Sequence, residues 1–162
     1  MCDDGLAPLQ RGGDLQPAKL ENGVVRTSPG FSEGFAAIAE GGWIGISADL
    51  EVGGMGLPMT LTTAGNEMMG GACLSLQLAP LMSQGQIEAL ELHASDAIKE
   101  LYLPKLISGE WTGTMNLTEP QAGSDVGAPS RRAEDKGDGV TAVSYTTLTA
   151  PNTRSAKGRG MS

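Results

Sequence analysis

Cysteine and histidine are scarce in this sequence. Its 162 residues include two cysteines, Cys2 and Cys73, and one histidine, His93. Two cysteines cannot form a disulfide framework, and their spacing matches no zinc-binding motif. Glu91 and Asp96 are the acids nearest to His93, and no i+4 ligand stands beside it, so we expect a solvated or capping histidine and no metal site. With a single histidine and no GxSxG motif, a Ser-His-Asp hydrolase is also excluded.

Basic residues and long apolar runs are few as well. The net charge is -8 and the pI is about 4.5, which argues against a nucleic-acid partner because phosphate backbones require a basic face. An acidic chain can still hold a phosphate-bearing cofactor through local backbone N–H groups. The longest apolar region, residues 72–82, is too short to cross a bilayer, and the acidic N-terminus is not typical of a signal peptide. We therefore expect a cytoplasmic protein with no membrane span.

Glycine, in contrast, is abundant. The 24 glycines are about twice the ordinary share of roughly 7%, so the helices must depend on tertiary packing more than on intrinsic propensity. Residues 1–30 have the pattern of an irregular arm, within which Asn22-Gly23 predicts a type I′ hairpin turn. Ser28-Pro29 predicts the start of a short helix that Gly41-Gly42 ends. Four residues form its apolar stripe and should pack in the core, namely Phe31, Phe35, Ile38 and Ala39.

A helical pattern extends from Pro58 to Ser108. Its apolar residues recur at mixed three- and four-residue spacings, which predicts core packing for Leu61, Met68, Met69, Leu74, Leu78, Leu81, Met82, Ile87 and Leu90. Ser95-Asp96 predicts the start of a further helix, which carries Ile98, Leu101 and Tyr102 and ends at Gly109. Before this region, Gly54-Met55-Gly56 lacks the third glycine and the preceding buried strand of a Rossmann loop, so we do not interpret it as a dinucleotide site.

The periodicity changes at Trp111 from helical to strand-like. Alternating side chains predict a strand over residues 111–117, and that strand runs into the sequence TEPQAGSD. The small residues there would let a ligand approach the main chain closely, while Thr118 and Ser124 offer hydroxyls to carbonyl or phosphate oxygens. This pattern suits a planar heterocycle joined to a pyrophosphate. An ordinary Pro-Gly surface turn is the alternative.

The composition changes again near Gly139. None of the 19 acidic residues lies beyond Asp138, whereas residues 140–162 carry three basic ones. RRAED followed by KGDG predicts a second strand that enters a turn. VTAVSYTTLTA is compatible with β structure, but PNTRSAKGRGMS has no structural pattern. We therefore expect residues 140–162 to lie outside the native fold.

Four stretches resemble, in order, the acyl-CoA dehydrogenase family: PLQRGGD, EGGWIGISADLEVGGMGLP, LPKLISGEWTG and MNLTEPQAGSDVGA. The resemblance covers about residues 6–139 and favours the branch similar to 3-(methylthio)propanoyl-CoA dehydrogenase. It implies a mainly α fold, with an N-terminal helical domain at residues 1–110 that is incomplete at its start. The truncated start of a β-barrel-like middle domain would follow at residues 111–139. Residues 140–162 would be a non-family tail, frame-shifted or foreign.

The resemblance also implies a cofactor and the residues that line it. FAD would be held by six residues of the motif: Met115, Asn116, Leu117, Thr118, Gly123 and Ser124. Thr118 would face the pyrimidine edge of the isoalloxazine through its hydroxyl and backbone N–H. Fixed donors there favour the reduced flavin, because hydride arrival builds negative charge at that edge. Ser124 would bond the FAD pyrophosphate or the CoA portion of the substrate. The implied partners are an acyl-CoA substrate and an electron-transfer flavoprotein, and the enzyme would be a homo-oligomer.

Three departures from the family pattern limit this interpretation. The second flavin strand, an aromatic residue followed by Ile-Thr, is replaced by VTAVSYTTLTAPNTR, and Leu50 and Val52 stand where the family has Pro and Tyr. The catalytic glutamate of the family belongs to a C-terminal bundle outside this sequence. We therefore expect no catalytic residue here, and a fragment that is inactive alone. The alternatives are a non-catalytic helical interaction module with an incidental turn, or an incompletely folded fragment without function.

Overall fold

The computed structural model describes residues 1–115 and 117–129, and it describes residues 132–135 and 140–143 as backbone strands. The chain divides into two compact units, Met1–Met115 and Asn116–Ser162. The first unit is helical apart from one small hairpin, and the described part of the second contains a two-stranded sheet. The mainly α fold with a short start of β structure is therefore confirmed. No helix of the described residues is both long and apolar enough to traverse a membrane.

The N-terminal residues are more ordered than expected. A π-helical turn, Cys2–Leu6, leads directly into α1, Ala7–Leu15, so the prediction of an irregular arm is wrong for this half. Two glycines inside α1 lower its helix propensity. Leu6 is nevertheless only 1% exposed, and Leu9 packs against the core beside it. Burial of these side chains supplies the stability that local propensity does not.

The predicted hairpin is confirmed. Strands β1, Lys19–Glu21, and β2, Val24–Arg26, pair antiparallel with Glu21 opposite Val24. Asn22 and Gly23 form the turn with φ values of 52° and 79°. Both residues are left-handed, as a type I′ turn requires, and that requirement explains why an Asn-Gly pair stands at this point.

Helix α2, Phe31–Glu40, begins slightly later than predicted. Its N-cap is Gly30, at φ 80°, and no side chain caps the helix, so the assignment of Ser28 as N-cap is wrong. Ser28 instead accepts a hydrogen bond at its carbonyl from the Phe31 N–H, at 3.2 Å. The apolar stripe is confirmed, because Ile38 is fully buried and the other three residues pack against the same core. The helix ends at Gly41 as predicted.

A long loop joins α2 to the next helix and is closed by its own backbone. The Met55 N–H donates to the Gly45 carbonyl at 2.9 Å, and the Gly56 N–H donates to the Ala48 carbonyl at 2.9 Å. A 3-10 turn, Leu50–Val52, lies between these contacts. The loop thus forms a compact lobe.

Helix α3, Met59–His93, is bent sharply at Cys73, whose φ of -154° and ψ of 88° are extended. Asn66 and Gln84 are 18 residues apart, which is about 27 Å along a straight helix. Their side-chain amides are nevertheless hydrogen bonded at 2.8 Å. The first arm, residues 59–72, must therefore fold back on the second arm, residues 74–93. The pair Gly70-Gly71, just before the bend, is a common site for such a kink.

A chain of side-chain amides joins the two arms. Gln77 Nε2 donates to Asn66 Oδ1 at 2.7 Å, and Asn66 Nδ2 donates to Gln84 Oε1 at 2.8 Å. Gln84 Nε2 then donates to the Trp43 carbonyl at 3.0 Å, which ties the second arm to the loop. We call this chain the amide relay. Gln77 is only 3% exposed, so the relay satisfies an Nε2 group that water barely reaches, while Gln77 Oε1 has no hydrogen-bond partner among the described residues.

Because of the bend, the predicted set of core residues in α3 is partly wrong. Of the nine apolar residues in the pattern, Met69 and Ile87 are buried, but five are exposed: Leu61, Met68, Leu74, Leu78 and Leu81. A single apolar stripe cannot describe two arms that fold against each other, because each arm turns a different face inward. In the described chain the core gathers between the two arms, α2 and α4, around Ile38, Met69, Leu76 and Leu103.

Helix α4, Asp96–Ile107, starts and ends where predicted. Ser95 is its N-cap residue, although its side chain makes no capping bond, and Gly109 follows the helix at φ 75°. The predicted apolar residues Ile98, Leu101 and Tyr102 are substantially exposed, and the buried face instead holds three others: Leu103, Leu106 and Ile107.

The second unit contains one antiparallel pair of strands. Strand β3, Arg132–Asp135, pairs with β4, Val140–Val143, with Arg132 opposite Val143. The predicted strand in RRAED is thus present, while the KGDG turn lies outside the described residues. Strand β4 falls within the segment expected to be a tail. The boundary near Gly139 stays a prediction, and residues 144–162 lie outside the described part.

Candidate functional site

The sequence TEPQAGSD forms a closed turn. The Glu119 N–H donates to the Ala122 carbonyl at 2.9 Å, and the Ala122 N–H donates back to the Glu119 carbonyl at 3.0 Å. Pro120 occupies the second position of this turn, where its fixed φ is favoured. The Gln121 amide donates to the Glu119 carboxylate, and Glu119 and Ala122 are both 3% exposed. The two residues that close the turn are therefore buried.

The residues that flank this turn face solvent. Leu117, Thr118, Gly123 and Ser124 are all exposed, and Asn116 lies outside the described residues. Because Glu119 pairs with Ala122, chain continuity brings Thr118 and Gly123 to the next position of the same narrow hairpin. A Cβ placed on Gly123 would meet nothing within 4 Å. The turn thus brings four of the predicted site residues together at an open surface.

A second bend follows immediately. The Val126 N–H donates to the Ser124 carbonyl at 3.1 Å, and the Asp125 carboxylate accepts from the Gly127 N–H at 3.1 Å. An Asp side chain that bonds the backbone two residues on is an Asx-turn. Ser124 therefore stands between two turns, and the second of them uses its carbonyl.

The segment that leads into the motif does not form the predicted strand. Residues 111–115 belong to no strand and pair with none among the described residues. Their backbone is held instead by side chains of α3. The Gly113 N–H donates to Ser83 Oγ at 3.0 Å, and Gln86 Nε2 donates to the Thr114 carbonyl. Met115, at the end of this segment, is 60% exposed.

Ser83 and Gln86 were not singled out by the sequence. Ser83 is completely buried, and its hydroxyl donates to the Ala79 carbonyl at 3.2 Å while it accepts from Gly113. Their residue types give little signal, because other polar residues, Gln84 and Glu88, stand beside them in the same helix. The two lie three residues apart and so project from one face of the helix.

An aromatic contact holds the start of the same segment against α4. The rings of Trp111 and Tyr102 meet edge to face, with centroids 5.6 Å apart. Lys105 Nζ lies 4.3 Å from the centre of the Trp111 ring and 3.6 Å from a Glu110 carboxylate oxygen. The Trp111 N–H also donates to the Lys105 carbonyl at 3.0 Å. Residues 111–114 are thus held by contacts with both α3 and α4.

Two surface cavities accompany this arrangement. One, of about 530 Å³, is apolar and lies between the second arm of α3, α4 and Trp111; its other lining residues include Leu90, Ile98, Tyr102 and Leu106. The other, of about 590 Å³, has both polar and apolar walls, and its lining includes four acids and a lysine: Asp49, Glu51, Glu91, Asp96 and Lys99. The residues that the structure describes contain no group of three His, Cys, Asp or Glu side chains arranged to hold a metal ion.

Comparison with known proteins gives a consistent match. The family model described as "Acyl-CoA dehydrogenase, N-terminal domain" matches residues 19–110. The 3-methylmercaptopropionyl-CoA dehydrogenase of Ruegeria pomeroyi is 44% identical over 147 residues, which is 91% of this chain and 25% of that protein. A butyryl-CoA dehydrogenase of Syntrophomonas wolfei is 34% identical over 131 residues, 79% of this chain and 21% of that protein.

A solved structure agrees with these sequence matches. A structure described as a glutaryl-coenzyme A dehydrogenase glutaryl-CoA complex superposes with a TM-score of 0.69 at 27% identity, and the match covers 87% of this chain and 34% of that one. The chain therefore spans about a quarter of the length of the two sequence relatives named above.

Proposed function

The chain belongs to the acyl-CoA dehydrogenase family, and we propose that it supplies the helical domain and the first flavin-binding motif of an FAD-dependent enzyme. The reaction would be the introduction of an α,β double bond into an acyl-CoA thioester. The observation that carries this proposal is the closed turn at Glu119–Ala122 within a chain of this family. The residues directly beside it are exposed and are small or carry a hydroxyl: Thr118, Gly123 and Ser124.

The residues at the turn fit a flavin. A planar ring system needs a backbone that it can approach. A Cβ placed on Gly123 would meet no atom within 4 Å, so the backbone there is open. Thr118 and Ser124 are exposed hydroxyl donors on either side of the turn. The buried residues Glu119 and Ala122 are joined by two reciprocal backbone hydrogen bonds, and this pair would keep the two hydroxyls in place.

Bound FAD would supply the acceptor for the hydride that leaves the β carbon. On the protein side, Met115 to Thr118 would line the ring, and the Thr118 hydroxyl and N–H would donate to its pyrimidine edge. Donors fixed there stabilise the negative charge that develops during transfer. Ser124 would donate to the pyrophosphate or to the CoA portion of the substrate, because phosphate oxygens are strong acceptors. The proposal assigns no catalytic base to this chain, so the chain alone would be inactive.

The substrate and partners follow from the family and from the relatives. The names of the relatives share a CoA thioester and differ in the acyl group, so we propose an acyl-CoA substrate without assigning its chain length. An electron-transfer flavoprotein would reoxidise the enzyme, which would act as a homo-oligomer. The cytoplasmic location stays a prediction.

The test uses a full-length hybrid, in which residues 6–139 of this chain replace the corresponding residues of the Ruegeria pomeroyi relative. We expect the hybrid to purify with bound FAD and the absorption of a protein-bound flavin. The unmodified relative is the control for loading and for folding by circular dichroism. A hybrid that folds as the relative does, but takes up no FAD when the cofactor is added, would favour a non-catalytic helical module.

A further inference from the structure

The hairpin of β1 and β2 stands apart from the helical core. Every residue from 14 to 27 is exposed, so neither strand buries a side chain against a helix. Leu20 and Val25, which lie opposite each other, are 73% and 63% exposed. An isolated two-stranded hairpin is only marginally stable in water, and further strands with an apolar face are needed to support it. The hairpin therefore has the features of an incomplete sheet.

The backbone of β1 offers an unpaired edge. Among the residues that the structure describes, β1 pairs with β2 alone. In a hairpin with a two-residue turn, the flanking residues exchange both backbone hydrogen bonds, and here these residues are Glu21 and Val24. Because such pairs alternate along antiparallel strands, the N–H and carbonyl of Leu20 point away from β2. They can therefore bond a further strand at that edge.

Charge selects the strand that fits this edge. Lys19 and Glu21 lie on either side of Leu20, and neither makes an ion pair with another described residue. An antiparallel copy of β1 centred on Leu20 would set each Lys19 opposite the Glu21 of the other copy. Opposite charges at directly opposed positions stabilise a pair of strands. Copies centred on Lys19 or on Glu21 would instead oppose like charges, so a single register is favoured.

The hairpin also contains a basic pair that this arrangement would neutralise. Lys19 lies opposite Arg26 on the neighbouring strand, and like charges at opposed positions destabilise a pair of strands. A carboxylate from a second copy, placed beside Lys19, would offset that repulsion. The outer edge of β2 offers no such match, because an antiparallel copy centred on Val25 would set Val24 opposite Arg26.

We propose that the β1 edge is a dimerisation surface, at which two copies of this chain pair antiparallel about a two-fold axis through Leu20. Each Leu20 would donate its N–H to the carbonyl of the other, and the two hairpins would form one four-stranded sheet. Leu20 and Val25 of both copies would then form an apolar stripe on one face. The edge strands have three residues each, so the contact is smaller than the roughly 1,200–2,000 Å² of a stable interface, and we expect a weak dimer. The contact goes beyond the proposed function and needs no flavin, so either can fail while the other stands.

The experiment uses charge reversal in the 162-residue chain. Sedimentation equilibrium from about 10 µM to about 1 mM covers the range of a weak dimer. Lys19→Glu opposes Glu21 with a second carboxylate, and Glu21→Lys opposes Lys19 with a second amine, so each variant alone should dimerise at least about tenfold more weakly. An equal mixture of the two variants restores both opposite-charge pairs and should associate within about threefold of the unmodified chain. Recovery in the mixture requires that positions 19 and 21 of two chains meet.

Further variants separate the β1 edge from the rest of the hairpin. Lys19→Glu places a carboxylate opposite Arg26, which supports the hairpin itself, so weaker association of this variant cannot come from loss of the hairpin. Leu20→Pro removes the outward N–H on the axis and should abolish association. Val25→Pro is its matched control, because it removes the outward N–H of β2 and should leave the dissociation constant within about threefold. An unmodified chain that is monomeric at every concentration, or charge variants that associate as well as the unmodified chain, would overturn the proposal.

A crosslink decides the question if the 162-residue chain does not fold. In the full-length hybrid, a carbodiimide should join the Lys19 amine to the Glu21 carboxylate of a second copy. Trypsin releases both residues in one peptide, residues 12–26, so a link between copies doubles the mass of that peptide, whereas a link within one copy does not. We expect the doubled peptide in the unmodified hybrid and its loss in Glu21→Gln. A folded hybrid that gives no doubled peptide would also overturn the proposal.

Discussion

Replacing Asn66 by alanine should destabilise the chain by an amount that the amide relay determines. Asn66 makes two of the side-chain bonds that join the arms of α3, at 2.7 Å to Gln77 and 2.8 Å to Gln84. A neutral hydrogen bond contributes about 1 kcal/mol net, and a donor left buried without a partner costs about 1–3 kcal/mol. Gln77 is 3% exposed, so its amide would bear that cost.

The expected loss in the free energy of unfolding is therefore about 2–4 kcal/mol, a large part of the roughly 5–15 kcal/mol that stabilises a domain. With a urea m-value of about 2 kcal/mol/M, the midpoint should fall by about 1–2 M. The assay is urea unfolding of the 162-residue chain, followed by far-UV circular dichroism.

A neighbouring substitution controls for the loss of side chain on the same arm. Glu67→Ala removes an exposed side chain next to Asn66 and should change the free energy of unfolding by no more than about 0.5 kcal/mol. If Asn66→Ala matches Glu67→Ala, the relay does not join the arms, and the folded-back arrangement of α3 is refuted. A chain without a cooperative transition in either form would support the alternative of an incompletely folded fragment.

The other predictions concern the flavin motif and the end of the chain. In the full-length hybrid, Thr118→Val keeps the branched shape but removes a donor, which should lower the flavin potential by about 20–60 mV, the two-electron equivalent of about 1–3 kcal/mol; an equal potential in an anaerobic redox titration would make Thr118 structural. Ser124→Ala should weaken FAD or acyl-CoA binding by about 1–2 kcal/mol, and calorimetric titrations with both affinities unchanged would contradict that role. Limited proteolysis of the 162-residue chain should remove residues 140–162 early; cleavage confined to sites beyond Val143 would place β4 inside the fold.

Local signals in the sequence predicted several elements well. Asn22-Gly23 specified a turn because few other pairs tolerate two left-handed residues in succession. Gly42 and Gly109 marked helix ends for a similar local reason, because both are left-handed, at φ 72° and 75°. The stripe of α2 was correct because that helix is short and straight, so one periodic pattern describes one buried face.

Longer-range features could not be read from the sequence. The bend at Cys73 depends on contacts between residues 18 apart, such as Asn66 and Gln84, which no local period encodes. The start of α1 was missed for a related reason, since its stability comes from Leu6 in a core assembled by other helices. Within the candidate site, the turn at EPQA and the open flanks were predictable from residue types. The hydrogen bonds from Ser83 and Gln86, side chains of a helix about 30 positions earlier, to residues 113 and 114 were not.

The absence of a strand at residues 111–115 has a physical reason. An alternating pattern predicts an extended chain with two different sides, but a strand also needs a partner for its backbone groups. Backbone N–H and carbonyl groups must be satisfied by some means, and at Gly113 and Thr114 the partners are Ser83 and Gln86. Side-chain partners can fix single peptide groups without a neighbouring strand. The alternating pattern could therefore not distinguish a paired strand from a segment that is held by the side chains of a helix.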